Sequence, residues 1–210
     1  MCIRKDMYTM ESCHQIRMGA PSEFFVKRAL NYLCQANCRY DIQFGLTYPL
    51  LEELVEGNLD AVLATKKYEV DGVNYLKIEE EKFVIVAPNS FEAIPASNRK
   101  AWLEQQNWIS YGRELPIIRR IWKQHFNERA EMEPFHVIPD LRGILKGIEA
   151  GMGMSVLPTY LIEQSVAEKK CQVLFLDLAV TNQIYLAYRN AEVVKPIVQA
   201  CDEKVALLVY

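Results

Sequence analysis

No stretch of this sequence stays apolar over the roughly 20 residues that a membrane-spanning helix needs, and its start, MCIRKDMYTMESCHQ, has no apolar centre of the kind a secretory signal carries. A basic excess is missing too: 24 Lys and Arg against 27 Asp and Glu leave a formal charge of −3. No stripe of positive charge is there to neutralise nucleic-acid phosphates. The chain alone is therefore expected not to bind duplex DNA specifically, to stay out of the membrane and to work in the cytoplasm. Paired CxxC spacing is also absent: the six cysteines stand at positions 2, 13, 34, 38, 171 and 201. They read as reduced thiols in a chain large enough to fold without disulfides. Cys34 and Cys38 could share a helix face and Cys13 adjoins His14, but the histidines at 14, 125 and 136 are scattered, so neither a metal nor a cofactor is expected. GxGxxG, GxxxxGK[ST] and a nucleophile elbow are all missing, which removes the common phosphate loops and the serine-hydrolase arrangement. Glu79, Glu80 and Glu81 sit in a polar run expected to be solvated, and His125 falls in an amphipathic stretch beside Arg and Lys, so no enzyme is expected.

What is present is a large apolar fraction, 50% of 210 residues, enough for a sizeable core. Its pattern alternates between strand and helix. QIRMGA (15–20) reads as a short strand. PSEFFVKRALNYLCQA (21–36) follows as a helix with Phe24, Phe25, Ala29, Leu30 and Leu33 on one face. RYDIQFGL is a second strand, and TYPLLEELVEG a second helix with Thr47 as its cap, Pro49 in its first turn and Gly57 at its end. LDAVLAT (59–65) is a nearly continuous apolar run, the mark of a strand buried on both faces in a parallel sheet. Beyond the Asp71-Gly72 turn, VNYLKI and EKFVIVA read as two further strands.

A second series follows: a helix near RKAWLEQ, a strand NWISY, a helix ELPIIRRIWKQHF, a strand EPFHVI, and a helix leading into GMSVL. The strands QVLFLDL and NQIYLAYR and an amphipathic helix, KPIVQACDEKVALLV, end the chain. Two such series favour two small α/β lobes, with a ligand expected in a cleft between them, beyond the carboxyl ends of the strands.

Four glycines are concentrated in GILKGIEAGMGMSVLP (143–158). Gly143 and Gly147 lie four apart in a helix, where each costs about 0.5–1 kcal/mol against Ala, so another backbone is expected to approach closely. Gly151 would end that helix in left-handed conformation, Gly153 would start a strand, and Pro158 the next helix.

DLRGILKGIEAGMGMSVLPTYLI resembles the segment of LysR-type transcriptional regulators in which a helix leads through a Gly-x-Gly turn to a strand and a Leu-Pro. LLEELVEGNLDAVL, with Gly57 three residues before Asp60, resembles the same family's first-lobe signature, and IRMGA its opening strand. The resemblance covers roughly residues 15 to 209 and implies the family's effector-binding region: a two-lobed α/β fold of the type 2 periplasmic-binding-protein kind with an inter-lobe cleft. It places lobe one at 15–87 plus 189–210, lobe two at 88–188, and a leader or residual linker at 1–14. It further implies a small polar or anionic metabolite as effector and a homodimer, or a tetramer in a full-length protein. DNA would be read only through a helix-turn-helix that these residues do not contain. NSFEAIP stands where the family often has His-Pro-Leu.

The resemblance assigns ligand contacts to Ser22, Thr47 and Thr65 in the first lobe and to Tyr111, Gly112, Arg113 and Asp140 in the second. The same residues have plainer roles open to them. Ser22, Thr47 and Asp140 stand where helix caps are needed, and Arg113 could be simply solvated. A solute-binding protein or an interaction module of the same fold also fits these patterns.

Overall fold

A computed structural model describes residues 14–91 and 97–207, so Cys2, Cys13, the expected leader up to residue 13, Leu208 and most of the NSFEAIP loop lie outside the described residues. The chain divides into two compact units. Lobe one is the chain up to Glu79 together with Gln183 onward; lobe two is Glu80–Asn182. The chain leaves lobe one inside a single long strand, β4 (Asn74–Pro88), and returns inside another, β9 (Val180–Tyr188). The passages expected after residues 87 and 188 fall at the ends of these same strands. VNYLKI and EKFVIVA, read as two strands, are one, because no Gly or Pro interrupts residues 74–87.

In lobe one, β1 (His14–Ala20) pairs in parallel with β2 (Cys38–Phe44) on one side and β3 (Ala61–Ala64) on the other. The antiparallel β9 pairs with β3. All four residues of β3 are buried, as a continuous apolar run requires. The helix after β1 is α-helical over α1 (Ser22–Phe24), π-helical over Phe25–Ala29 and α-helical again over α2 (Leu30–Leu33). The wider turn moves Leu30 off the core face, leaving it 43% exposed, while Phe24, Phe25, Ala29, Tyr32 and Leu33 stay buried.

Between β2 and β3, α3 (Thr47–Glu56) packs Leu50, Leu51 and Leu54 into a core shared with Leu59, Val62, Ala64 and Ala187. It closes in a left-handed Gly57, with the amides of Asn58 and Leu59 returning to the Glu53 carbonyl. The tight ending places Asp60 against β1, where its carboxylate takes the Arg17 guanidinium through both oxygens, at 2.8 and 3.1 Å, and also the Arg17 amide at 2.9 Å. The spacing of Gly57 and Asp60 thus fixes where β3 begins. The last helix, α8 (Ala191–Leu207), belongs to lobe one and packs on α2 and β1.

In lobe two, β7 (Ser155–Pro158) and β8 (Cys171–Leu174) each pair antiparallel with β4, and β5 (Ile109–Ser110) pairs in parallel with β6 (His136–Val137). Around them lie α4 (Arg99–Glu104), α5 (Ile118–Ile121) running into a π-helical turn at Trp122–Phe126, α6 (Leu141–Glu149), α7 (Thr159–Ala167) and a 3-10 turn at Leu176–Leu178. One core gathers Trp108 and Trp122, whose rings meet edge to face at 5.7 Å, with Phe83, Ile85, Leu103 and Ile118. A second joins Val84 and Val86 to Ile144, Ile148, Leu157 and Ile162.

Two expectations are corrected here. The Glu79–Glu81 run is not uniformly solvated. Glu80 is exposed, but Glu79 pairs with Arg28, and Glu81, only 6% exposed, accepts hydrogen bonds from Tyr160 Oη at 3.0 Å and Asn182 Nδ2 at 2.8 Å. A buried carboxylate needs such donors, and two elements distant in sequence supply them. Gly143 and Gly147 make room for side chains, not for a backbone: a Cβ at Gly143 would lie 2.9 Å from Ile138 Cγ2, and one at Gly147 3.1 Å from Ile109 Cδ1. The backbone approach occurs at Gly153, where a Cβ would come within 2.3 Å of the Asn107 carbonyl oxygen.

Candidate functional site

Parallel pairing brings the carboxyl ends of β1, β2 and β3 to one edge of lobe one, followed in sequence by Ser22, Thr47 and Thr65. Neither Ser22 nor Thr47 is the cap the sequence suggested. Pro21 and Leu46 occupy those positions in extended conformation, and no side chain caps either helix. A proline or an apolar residue can hold the extended cap geometry without offering an oxygen, so the first-turn amides of α3 at Thr47 and Tyr48 keep no side-chain acceptor.

The Thr47 side chain turns instead to the end of β3. Its Oγ1 accepts the Thr65 amide at 3.1 Å and shares a hydrogen bond of 3.1 Å with Thr65 Oγ1. Two hydroxyls have two protons and spend one on their mutual bond, so the pair retains one proton to donate, from Thr65 or from Thr47. Thr47 is buried and Thr65 half-buried. An uncapped helix start beside a hydroxyl proton suits an anionic or strongly polar group. Ser22 is half-buried at the start of α1, in the turn after β1.

In lobe two, Tyr111, Gly112 and Arg113 follow β5. Ser110 Oγ donates to the Gly112 carbonyl at 2.8 Å, which tightens the turn, and Arg113 is exposed. Ser110 and Tyr111 line a shallow recess with Ile117, Leu141, Ile144 and Ser155. Asp140 is the one candidate that caps as expected: it is extended, and its Oδ1 accepts the Gly143 amide at 2.7 Å. Its other oxygen meets Arg142 at 2.9 Å.

The Arg142 hydrogen bond, followed by that from the Gly143 amide, holds the Asp140 carboxyl below its ordinary value. A carboxyl lowered in the native state stabilises the fold fully above its unfolded pKa and loses that contribution as the pH falls through the native one. Asp140→Asn keeps a capping oxygen but cannot titrate. It is expected to lower stability near neutrality, where the carboxylate contributes, and to change little at low pH, so that the acid limb flattens between about pH 5 and pH 2, read by urea denaturation at stepped pH.

Sequence reasoning passed over two residues beside Thr47 and Thr65. Tyr48 is 51% exposed, and Lys66 follows the end of β3. Their signal was positional: each adjoins a candidate already chosen at a strand end.

Two α/β lobes joined by two crossing strands, with polar residues gathered where strands give way to helices, define an effector-binding module of the type 2 periplasmic-binding-protein kind. The chain belongs to the LysR substrate binding domain family, whose model matches residues 11–204. Members of this family are regulator domains and not enzymes. The HTH-type transcriptional regulator AbaB of Streptomyces antibioticus is 25% identical over 205 residues, 91% of this chain and 68% of that protein. Among solved structures, the C-terminal domains of a LysR family protein from Agrobacterium tumefaciens str. C58 match with a TM-score of 0.76 and 15% identity, over 89% of this chain and 94% of that one. Full-length LysG from Corynebacterium glutamicum with bound effector Arg matches with a TM-score of 0.69 and 12% identity, over 90% of this chain and 68% of that one. At these identities the likeness to solved structures is one of fold.

Proposed function

We propose that this chain senses a small polar or anionic metabolite held between its two lobes, that occupancy shifts the arrangement of a homodimer, and that a DNA-binding element outside these 210 residues reads the shift. The observation that carries the reading is the Thr47–Thr65 hydroxyl pair beside the uncapped start of α3. Ser22 from lobe one and Tyr111, Gly112, Arg113 and Asp140 from lobe two complete the proposed contacts. The effector-bound LysG structure supports it by analogy of fold.

A metabolite library screened for thermal stabilisation tests it, since a ligand that binds only the folded state raises stability by mass action. Against the ligand so found, Thr47→Ala is expected to weaken binding by roughly 10- to 100-fold, the loss of one charge-assisted hydrogen bond. It also strips the Thr65 amide of its acceptor and is expected to cost about 1–3 kcal/mol of stability, whereas Thr47→Ser retains both. Folded Thr47→Ala protein that binds like the parent would remove this pair from the site.

The homodimer has a candidate surface in lobe one. Val26 and Leu30 are 52% and 43% exposed on the helix after β1, and Phe44, at 51%, ends the edge strand β2 with its ring against Phe25. Light scattering at high micromolar concentration is expected to show a dimer, and the pair Val26→Asp and Leu30→Asp a monomer. A parent chain that stays monomeric there overturns the dimer.

A further inference from the structure

Lobe one carries a cation next in sequence to Thr65. Lys100, Lys146, Lys170 and Lys195 each face a glutamate. Among the described residues Lys66 and Lys67 meet no carboxylate, nor do Lys27, Lys82, Lys123 and Lys169; what distinguishes Lys66 and Lys67 is their aromatic contact. Lys66 Nζ is 4.9 Å from the centre of Tyr68, and Lys67 Nζ 4.6 Å from that of Tyr185. A ring below an ammonium group positions it without neutralising it.

The ring under Lys66 is itself held. The Tyr75 hydroxyl donates to the Tyr68 carbonyl at 2.9 Å and accepts the Tyr68 amide at 3.3 Å, which fixes the backbone from which that ring projects. Against Tyr68, at 5.3 Å between ring centres, stands Tyr48. Leu46 and Tyr48, the two neighbours of Thr47, are 64% and 51% exposed. Exposed apolar side chains on both sides of a buried threonine are an unusual use of surface for a solvated turn, and they suit a ligand with an apolar body.

We infer that lobe one recognises an organic anion whose charge sits on a flat, apolar body, with Lys66 taking the charge and Tyr48 and Leu46 taking the body. This rests on the sensing role proposed above and narrows its ligand class. Lys66, Tyr48 and Leu46 join Thr47 and Thr65 as binding residues. Charge and body are read by different groups, so neither part of the ligand suffices alone.

Four probes separate the classes: benzoate carries charge and flat body, acetate charge alone, benzyl alcohol the body alone, and L-arginine an opposite side-chain charge. Titration calorimetry with the 210-residue chain is expected to show benzoate at least roughly tenfold tighter than either half-probe and weakening as salt rises. Lys66→Gln is expected to lower benzoate affinity roughly 5- to 30-fold, with Lys66→Arg restoring most of it and Tyr48→Ala lowering it without altering the salt dependence. Both side chains are exposed, so these variants should fold like the parent. L-arginine or benzyl alcohol binding more tightly than benzoate, or benzoate binding that ignores Lys66→Gln, overturns this ligand class while the sensing role stands. A metabolite screen that yields no ligand of any class removes the sensing role and this inference with it.

Discussion

Trp108→Ala is expected to lower the stability of lobe two by about 3–5 kcal/mol, the usual cost of emptying a large aromatic site that cannot collapse. Trp108 is fully buried, and its ring meets Trp122 edge to face while its Nε1 donates to the Leu103 carbonyl at 2.7 Å. The truncation therefore opens a cavity, removes an aromatic pair and takes one donor from the Leu103 carbonyl, which keeps the Gln106 amide at 3.2 Å. Trp108→Phe keeps most of the packing and loses mainly the hydrogen bond, so about 1–2 kcal/mol is expected. Guanidinium denaturation followed by tryptophan fluorescence, with Trp122 as the remaining core reporter, measures both; equal effects would show that the donor and not the ring volume matters.

Gly153→Ala should be comparably severe for a different reason. Gly153 has φ of +150°, outside the range a side chain tolerates easily, and an added Cβ would stand 2.3 Å from the Asn107 carbonyl oxygen. That carbonyl cannot give way freely because it accepts the Met154 amide at 2.9 Å, and Met154 bridges to Trp108 beside β5. Backbone strain and overpacking together are expected to cost about 2–6 kcal/mol. Gly151→Ala is the control. Gly151 is left-handed, with φ of +81°, but nothing lies within 4 Å of its added Cβ, so only the conformational cost of about 1 kcal/mol is expected. Urea midpoints of the two variants test this, and equal shifts would mean that conformation and not the Asn107 contact governs the turn.

The elements legible in the sequence were those whose apolar pattern has one interpretation. The run from Leu59 to Thr65 permits only a strand buried on both faces, and Leu141, Ile144, Leu145 and Ile148 only a helix with one apolar side. The π-helical turn at Phe25–Ala29 was not legible, because Phe24, Phe25 and Ala29 fit an α-helical face as well as a wider one; the cost of the misreading was the orientation of Leu30. Glu81 was hidden for another reason. Its burial depends on Tyr160 and Asn182, whose separations of 79 and 101 residues leave no local trace. At the proposed site, the importance of Thr47 could be read, but its role could not. A threonine at a helix start looks like a cap whether its hydroxyl points down its own helix or across to Thr65.

The two crossing strands also set an order of assembly during synthesis. Lobe two is continuous in sequence, so all its strands and both its cores are available once residue 182 has emerged. Lobe one is not. Its buried strand β3 pairs with β9 over Ala61–Ala64 and Leu186, Ala187 and their neighbours, and these arrive only after the whole of lobe two. Throughout that interval the nascent chain carries an apolar strand with an open edge, the condition under which neighbouring chains pair with one another. The segment most exposed to mispairing is thus the earlier-made part of the lobe-one sheet, and its protection depends on how quickly the ribosome delivers the residues from Gln183 onward.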